Sequence, residues 1–191
     1  ILNGQKHASL PLDQAIRWLE SPDPKSVSSA QHLLALIGAI GSNDELTDVG
    51  KQLARLPLGP RLGAMIVCGK ELGIIEITAL AAVIMSERLV STPRGPARAI
   101  NDCDLVHMME QLPTLDPSIR SRIEQSYAQL ARRLGIATRI PNTRNLPSQT
   151  ILDFSTALLA GFPDRVAKRR ELDPGKNRNS ESTKLYNLCL G

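Results

Sequence analysis

The sequence predicts a mainly α-helical protein, and two observations carry that expectation. Apolar residues make up 42% of the 191 residues but aromatics only 3%, so Leu, Ile, Val and Ala must build the core. Leu and Ala are good helix formers, whereas β-rich chains spend more Val, Thr, Tyr and Phe. The apolar residues also recur at helical spacing in successive segments that Pro and Gly punctuate. The length suffices for one good core or for two small domains sharing an interface.

Taken in order, Pro11–Glu20 is a short amphipathic helix, with Leu12, Ala15, Ile16 and Leu19 at helical spacing. Ser21-Pro22-Asp23-Pro24 ends it, because two prolines in three residues cannot continue a helix. Lys25 or Ser26 opens the next helix, with Ala30, Leu33, Leu34 and Ile37 as its buried stripe and Gly38 as its stop. Ala39-Ile40 runs into the turn signal Gly41-Ser42-Asn43-Asp44, and Thr47 is a suitable N-cap for a helix over 48–56. Helix, tight turn with two short extended pieces, helix is the arrangement of a small winged-helix module.

Leu56-Pro57-Leu58-Gly59-Pro60 breaks the chain. Pro57 and Pro60 fix the backbone, Gly59 is expected to permit a sharp bend, and the three form a candidate hinge. Pro60 also suits the first turn of a helix carrying Leu62, Met65, Ile66 and Leu72, closed by Gly73. A helix over 74–88 is apolar on most sides and should be central in its domain. Residues 89–100 read as a loop. A helix capped by Asp102 or Asp104 runs through Leu112, another spans Pro117–Leu134, residues 137–148 form a loop, and 151–161 is a strongly apolar helix. Residues 164–170 are basic and read as helical, 173–182 are polar, and 184–190 alternate enough for one strand.

Charge is uneven. Residues 1–115 hold 10 Lys/Arg and 12 Asp/Glu, a balance of −2, and residues 116–191 hold 13 and 7, a balance of +6. A basic second half suits a polyanionic partner such as nucleic acid, although on charge alone a solvated, mildly basic surface is the better explanation. Cys68, Cys103 and Cys189 are odd in number and far apart, which is neither a disulfide framework nor a metal cluster and favours a reducing compartment. No stretch is apolar for long enough to span a membrane, and Ile1–His7 lacks the apolar core of a signal peptide and reads like a cut from a longer protein.

The motifs of several chemistries are missing. There is no phosphate loop of the Walker type and no Asp-Glu-Ala-His magnesium motif; Gly59-Pro60-Arg61-Leu62-Gly63 lacks the Lys-Ser/Thr pair. No nucleophile elbow is present. His7, His32 and His107 lie too far apart for a metal site. Glu71 and Glu76 flank a glycine, and a helix end and a helix start explain them better than paired catalysis. No catalytic residue, no metal site and no ATPase activity are expected of the chain.

Four segments together resemble the part of DEAH-box ATP-dependent RNA helicases that follows their two RecA-like motor domains. The first is Ala35-Leu36-Ile37-Gly38-Ala39-Ile40 with Glu45-Leu46-Thr47-Asp48-Val49-Gly50-Lys51. The second is Leu56-Pro57-Leu58-Gly59-Pro60-Arg61-Leu62, where the family has Asp or His in place of Gly59. The third is Ala79-Leu80-Ala81-Ala82-Val83-Ile84-Met85-Ser86-Glu87-Arg88. The fourth, Phe162-Pro163-Asp164-Arg165-Val166-Ala167-Lys168-Arg169-Arg170, is similar to an element of the bacterial HrpB-like branch that precedes a β-rich, OB-like region. The resemblance runs from about Leu10 to Arg170. It implies a winged-helix module with an N-terminal extension over 1–57, a helical ratchet-like domain over 58–163, and a basic segment over 164–191 leading into a truncated OB-like region. It also implies that ATP and magnesium belong to the motor domains, leaving this chain without a cofactor, and that its partners are those motor domains and single-stranded RNA. On a helix, positions 165, 168 and 169 share one face. The candidate RNA-binding residues are therefore Arg165, Lys168, Arg169 and Arg170, with Lys176 and Arg178 behind them.

A second hypothesis is an interaction module that docks on other proteins without touching nucleic acid. A third, a free-standing DNA-binding winged helix, has only Lys51, Gln52 and Arg55 to reach a groove on a helix that opens with Asp48. Docking of that helix through Val49, Leu53 and Leu56 is the better reading.

Overall fold

The computed structural model describes residues 19–87, 103–169 and 186–188. These fall into two compact units, one drawn from residues 1–52 and 163–191 and the other from 53–162. The architecture is mainly helical, as expected. The predicted helix over 11–20 lies outside the described residues apart from its last two, as do the predicted loop over 89–100 and the polar stretch over 173–182.

In the first unit, α1 spans Pro24–Leu36. It starts at Pro24, earlier than expected, because Asp23 is the N-cap and proline occupies the first turn, where its missing N–H costs nothing. No residue of α1 is fully buried, and Ala30 is exposed rather than part of a buried stripe; Ile37 and Ala39, just past the helix, carry the burial. Gly38 has φ +71°, the left-handed stop that glycine supplies. The two extended pieces meet in a single antiparallel bridge, Ile40 to Leu46, closed by a turn in which Asp44 takes φ 56°.

Thr47 caps α2 (Asp48–Leu53) as predicted, accepting from the Gly50 N–H at 3.0 Å. Its hydroxyl also donates to the Gly38 carbonyl at 2.6 Å, so one side chain ties the end of α1 to the start of α2. Helix α2 stops at Leu53, not Leu56: the Leu56 N–H turns back to the Leu53 carbonyl, and Pro57 disfavours helical backbone at the residue before it.

The second unit is built on α3 (Pro60–Glu71), α4 (Ile75–Ser86), α5 (Asp104–Gln111), a 3₁₀ turn (Leu112–Thr114), α6 (Pro117–Leu134) and α7 (Ser148–Gly161). Helix α4 is the centre. Its residues from Thr78 to Ile84 are all buried, so the expectation from its all-round apolarity holds. Met65 and Ile66 of α3, Ile123 and Tyr127 of α6 and Phe154 of α7 join it in one core. Prolines at the first positions of α3 and α6, and glycines at φ +74° (Gly73) and +69° (Gly135), set the boundaries that the sequence indicates. Gly59 behaves otherwise. Its φ of −61° and ψ of 152° suit any residue, and a side chain there would meet nothing within 4 Å, so no special glycine bend exists in the candidate hinge.

Where helices come closest, glycine sits. A Cβ on Gly161 would stand 2.5 Å from the Arg61 carbonyl oxygen, which is how α7 lies against α3. Arg61 closes that contact from the other side, its Nη1 donating to the Gly161 carbonyl at 3.4 Å and its guanidinium lying 5.5 Å from the Phe162 ring centre. Two segments a hundred residues apart, Pro60-Arg61 and Gly161-Phe162, are thereby pinned together.

Candidate nucleic-acid interface

The expected cation row on a helix does not exist. Pro163–Arg165 is a 3₁₀ turn, and Ala167–Arg169 is a β-strand, β1. It pairs antiparallel with β2 (Tyr186–Leu188), placing Ala167 opposite Leu188, Lys168 opposite Asn187 and Arg169 opposite Tyr186. The strand foreseen near the C-terminus therefore finds its partner within this chain, in the segment read as helical. A strand alternates faces residue by residue, so positions 168 and 169 are not neighbours on one face. Lys168 and Arg169 nonetheless stay adjacent in a two-stranded ribbon, with Arg165 exposed in the turn before it. Arg170, Lys176 and Arg178 lie outside the described residues. The 3₁₀ turn packs against α1, within the first unit.

A second basic feature lies wholly within the other unit, where the sequence singled out no RNA-binding candidate. The loop between α6 and α7 folds beside the start of α6 and leaves a half-open groove of about 1090 Å³. Arg120, Arg139 and Arg144 line it, with Glu124 the one carboxylate among the lining residues. Arg120 is paired with Glu124, Nε to Oε1 at 2.8 Å. Arg139 and Arg144 are exposed, and among the described residues neither has a carboxylate within salt-bridge distance. The loop is held in shape by Asn142, whose Oδ1 accepts from the Arg144 N–H at 3.1 Å, by Asn145 at φ 55°, and by Thr143, which is buried. The sequence signal for this site was the +6 balance of residues 116–191; nothing local marked the individual arginines.

His107 Nδ1 stands 3.9 Å from Glu110, and His32 is exposed. Burial, and then the charge of Glu71, push the Cys68 thiol up. Glu71 ends α3 and Glu76 sits in the first turn of α4, as expected for helix-end carboxylates. Among the described residues no group of three or more His, Cys, Asp or Glu is placed to hold a metal ion, and no helix is long and apolar enough to cross a membrane.

Residues 30–58, the α1–turn–α2 segment and its exit, match the helicase associated domain (HA2), winged-helix. The chain is 28% identical over 157 residues to the ATP-dependent RNA helicase HrpB of Escherichia coli (strain K12), which covers 82% of the chain and 16% of HrpB. It is 35% identical over 79 residues to the ATP-dependent RNA helicase DHX29 of Mus musculus, covering 41% of the chain and 6% of DHX29. In structure it superposes on the E. coli DExH-box NTPase HrpB with a TM-score of 0.57 at 27% identity, over 84% of this chain and 17% of that one. The chain thus spans only a small part of the relatives it matches. Residues 30–58 thus match the helicase-associated winged helix, and over most of its length the chain resembles part of HrpB.

Proposed function

We propose that this chain is a non-catalytic accessory region of an ATP-dependent RNA helicase, one that contacts RNA and couples the movement of RecA-like motor domains to strand separation. The observation that carries the reading is the joint match: a helicase-associated winged helix at residues 30–58 and a likeness to HrpB in both sequence and fold across more than four-fifths of the chain. ATP and magnesium are assigned to the motor domains, and the compartment to the cytoplasm. RNA contact is assigned to basic surface in the second half of the sequence. Phe162 and Tyr186 are the only aromatics near the C-terminal cluster, so contact there is electrostatic and blind to sequence.

The test is fluorescence anisotropy of a labelled single-stranded RNA against the purified chain at increasing salt. Each phosphate neutralised on a single strand contributes about −0.7 to the slope of log K against log salt, so three or four contacts give about −2 to −3. Binding should fade near physiological salt. Absence of salt-dependent binding at low ionic strength refutes the RNA half of the proposal.

A protein-docking reading has its own observation. Helix α7 leaves Ile151, Leu152 and Leu159 exposed at 37%, 60% and 50%, all three apolar. A motor domain packed on that face would cover them. Loss of motor association on Leu152→Lys/Leu159→Lys, with RNA binding kept, would favour that role for α7.

A further inference from the structure

The helical unit is an insertion. The chain leaves the first unit after Gln52 and returns to it at Pro163, so the first unit is assembled from two stretches of sequence that flank residues 53–162. We propose that Arg61 closes a clasp at the neck of this insertion, and that through the clasp the helical unit holds the two halves of the first unit ready to assemble. The inference stands apart from the RNA reading and does not need it.

Both crossings are made by ordered backbone. On the way in, the boundary falls at Leu53, the last residue of α2. Leu53 and Leu56 fold back on α3, where a Cβ on Gly63 would stand 2.9 Å from Leu53 Cδ2 and 3.5 Å from Leu56 Cδ1. On the way out, the Phe162 N–H still donates to the Leu158 carbonyl at 3.0 Å. The next residue opens the 3₁₀ turn Pro163–Arg165, which packs on α1 within the first unit. Arg61 joins the two crossings. Its carbonyl is where Gly161 comes closest, and its guanidinium reaches both the Gly161 carbonyl and the Phe162 ring. Arginine suits the task because its flat fork donates at its edge while its face lies on a ring. Arg61, Gly161 and Phe162 all belong to the helical unit, so the clasp closes by the folding of that unit alone. Its effect on the first unit is large in principle. Bringing together the ends of a flexible loop as long as residues 53–162 is disfavoured by about 1000-fold. A folded insertion with its neck clasped removes that penalty, and the turn at 163–165 reaches α1 with no loop left to close.

Hydrogen–deuterium exchange of the full chain tests this at amides of the first unit, all far in sequence from Arg61 and Phe162 or separated from them by the unit boundary. The Gly41, Thr47 and Lys51 N–H groups donate to the Glu45, Ala39 and Thr47 carbonyls and report local opening there. In Arg61→Gln/Phe162→Leu the lost cation–π contact should speed their exchange about 2- to 5-fold. Arg61→Lys, which keeps a cation beside the ring, should stay closer to the parent. Gly161→Ala, which forces α7 away from the Arg61 carbonyl, should speed exchange further. Thr78→Ala weakens the helical unit away from the neck and should leave these amides unchanged. Circular dichroism checks that each variant keeps its helicity. The proposal is overturned if folded Arg61→Gln/Phe162→Leu exchanges these amides at the parental rate, which would make the clasp local packing only. It is also overturned if Thr78→Ala speeds them as much as the neck variants do, because the units would then open together and the neck would have no part of its own.

Discussion

Gly69 of α3 faces Thr78 of α4 with no room for a methyl group, which makes Gly69→Ala a sharp test of how these helices pack. A Cβ at position 69 would stand 2.3 Å from the Thr78 Oγ1 and 2.5 Å from its Cγ2, against ordinary contacts well above 3 Å. Thr78 cannot swing away. It is fully buried, its β-branched side chain is stiff about χ1, and its hydroxyl donates to the Ile75 carbonyl at 3.0 Å. The helices must therefore part, and overpacking of this kind costs about 1–3 kcal/mol. Replacing glycine within a helix returns up to about 1 kcal/mol of propensity, so the net loss should be about 1–2 kcal/mol. Thr78→Ala alone should cost about 1 kcal/mol for the lost methyl packing. In the double variant the two closest atoms are gone and the new methyl takes part of the space they leave, with the position-78 Cβ, 2.9 Å away, left to give by a few tenths of an ångström. The two changes should then couple favourably by about 1 kcal/mol or more. Urea unfolding followed by far-ultraviolet circular dichroism measures all four proteins. Strict additivity of the single losses would refute the close-packing argument.

Gly59→Asp should stabilise α3 by about 1 kcal/mol: the backbone there already suits aspartate, a carboxylate can cap free N–H groups next to Pro60, and the unfolded chain loses glycine's freedom. An unchanged or lower midpoint in thermal unfolding would count against this. Tyr127→Phe should be neutral or stabilising by about 1 kcal/mol, since the buried Tyr127 hydroxyl has no hydrogen-bond partner among the described residues. Burial, aided by the charge of Glu76, holds the Tyr127 phenol up at about 12 against an ordinary 10.0. The unfolded tyrosine thus ionises first, so the parent chain should lose stability between pH 10 and 12 in excess of the phenylalanine variant. Parallel stability curves across that range would refute the assignment.

What the sequence made legible was the part set by local chemistry. Proline at a first turn and glycine at a left-handed stop act within a few residues, so the limits of α6 and the C-terminal limit of α3 were readable. The centrality of α4 was readable because apolarity on every face has only one use in water. The misses are non-local. Ala167-Lys168-Arg169 has little β preference of its own and becomes a strand only because Tyr186–Leu188 pairs with it across a long separation. Ala30 looked buried because its spacing matched a stripe, yet its exposure depends on what α1 packs against, which spacing cannot state. The groove arginines were invisible for the same reason: Arg120 is one of several charges on α6, and only the fold returns Arg139 and Arg144 to its side.

Several residues of the motifs that carry the resemblance to helicases share a physical role in this chain, which is to hold the fold. Thr47 and Gly50 lock the turn of the winged helix: Thr47 bridges α1 and α2, and a Cβ on Gly50 would meet the Ala39 carbonyl and Leu46. Arg61 and Phe162, from two different motifs, pin α3 to the end of α7, while Ala79–Ile84 is the core itself. Such residues are occupied in holding the fold. Two sets of basic residues fall in different compact units, Arg165, Lys168 and Arg169 in one and Arg120, Arg139 and Arg144 in the other. If each set contacts RNA on its own, removing one leaves the contribution of the other unchanged. Variants in each set, alone and combined, titrated with a labelled single-stranded RNA test this: losses that add support separate contacts, and losses in the combined variant that differ from the sum refute them.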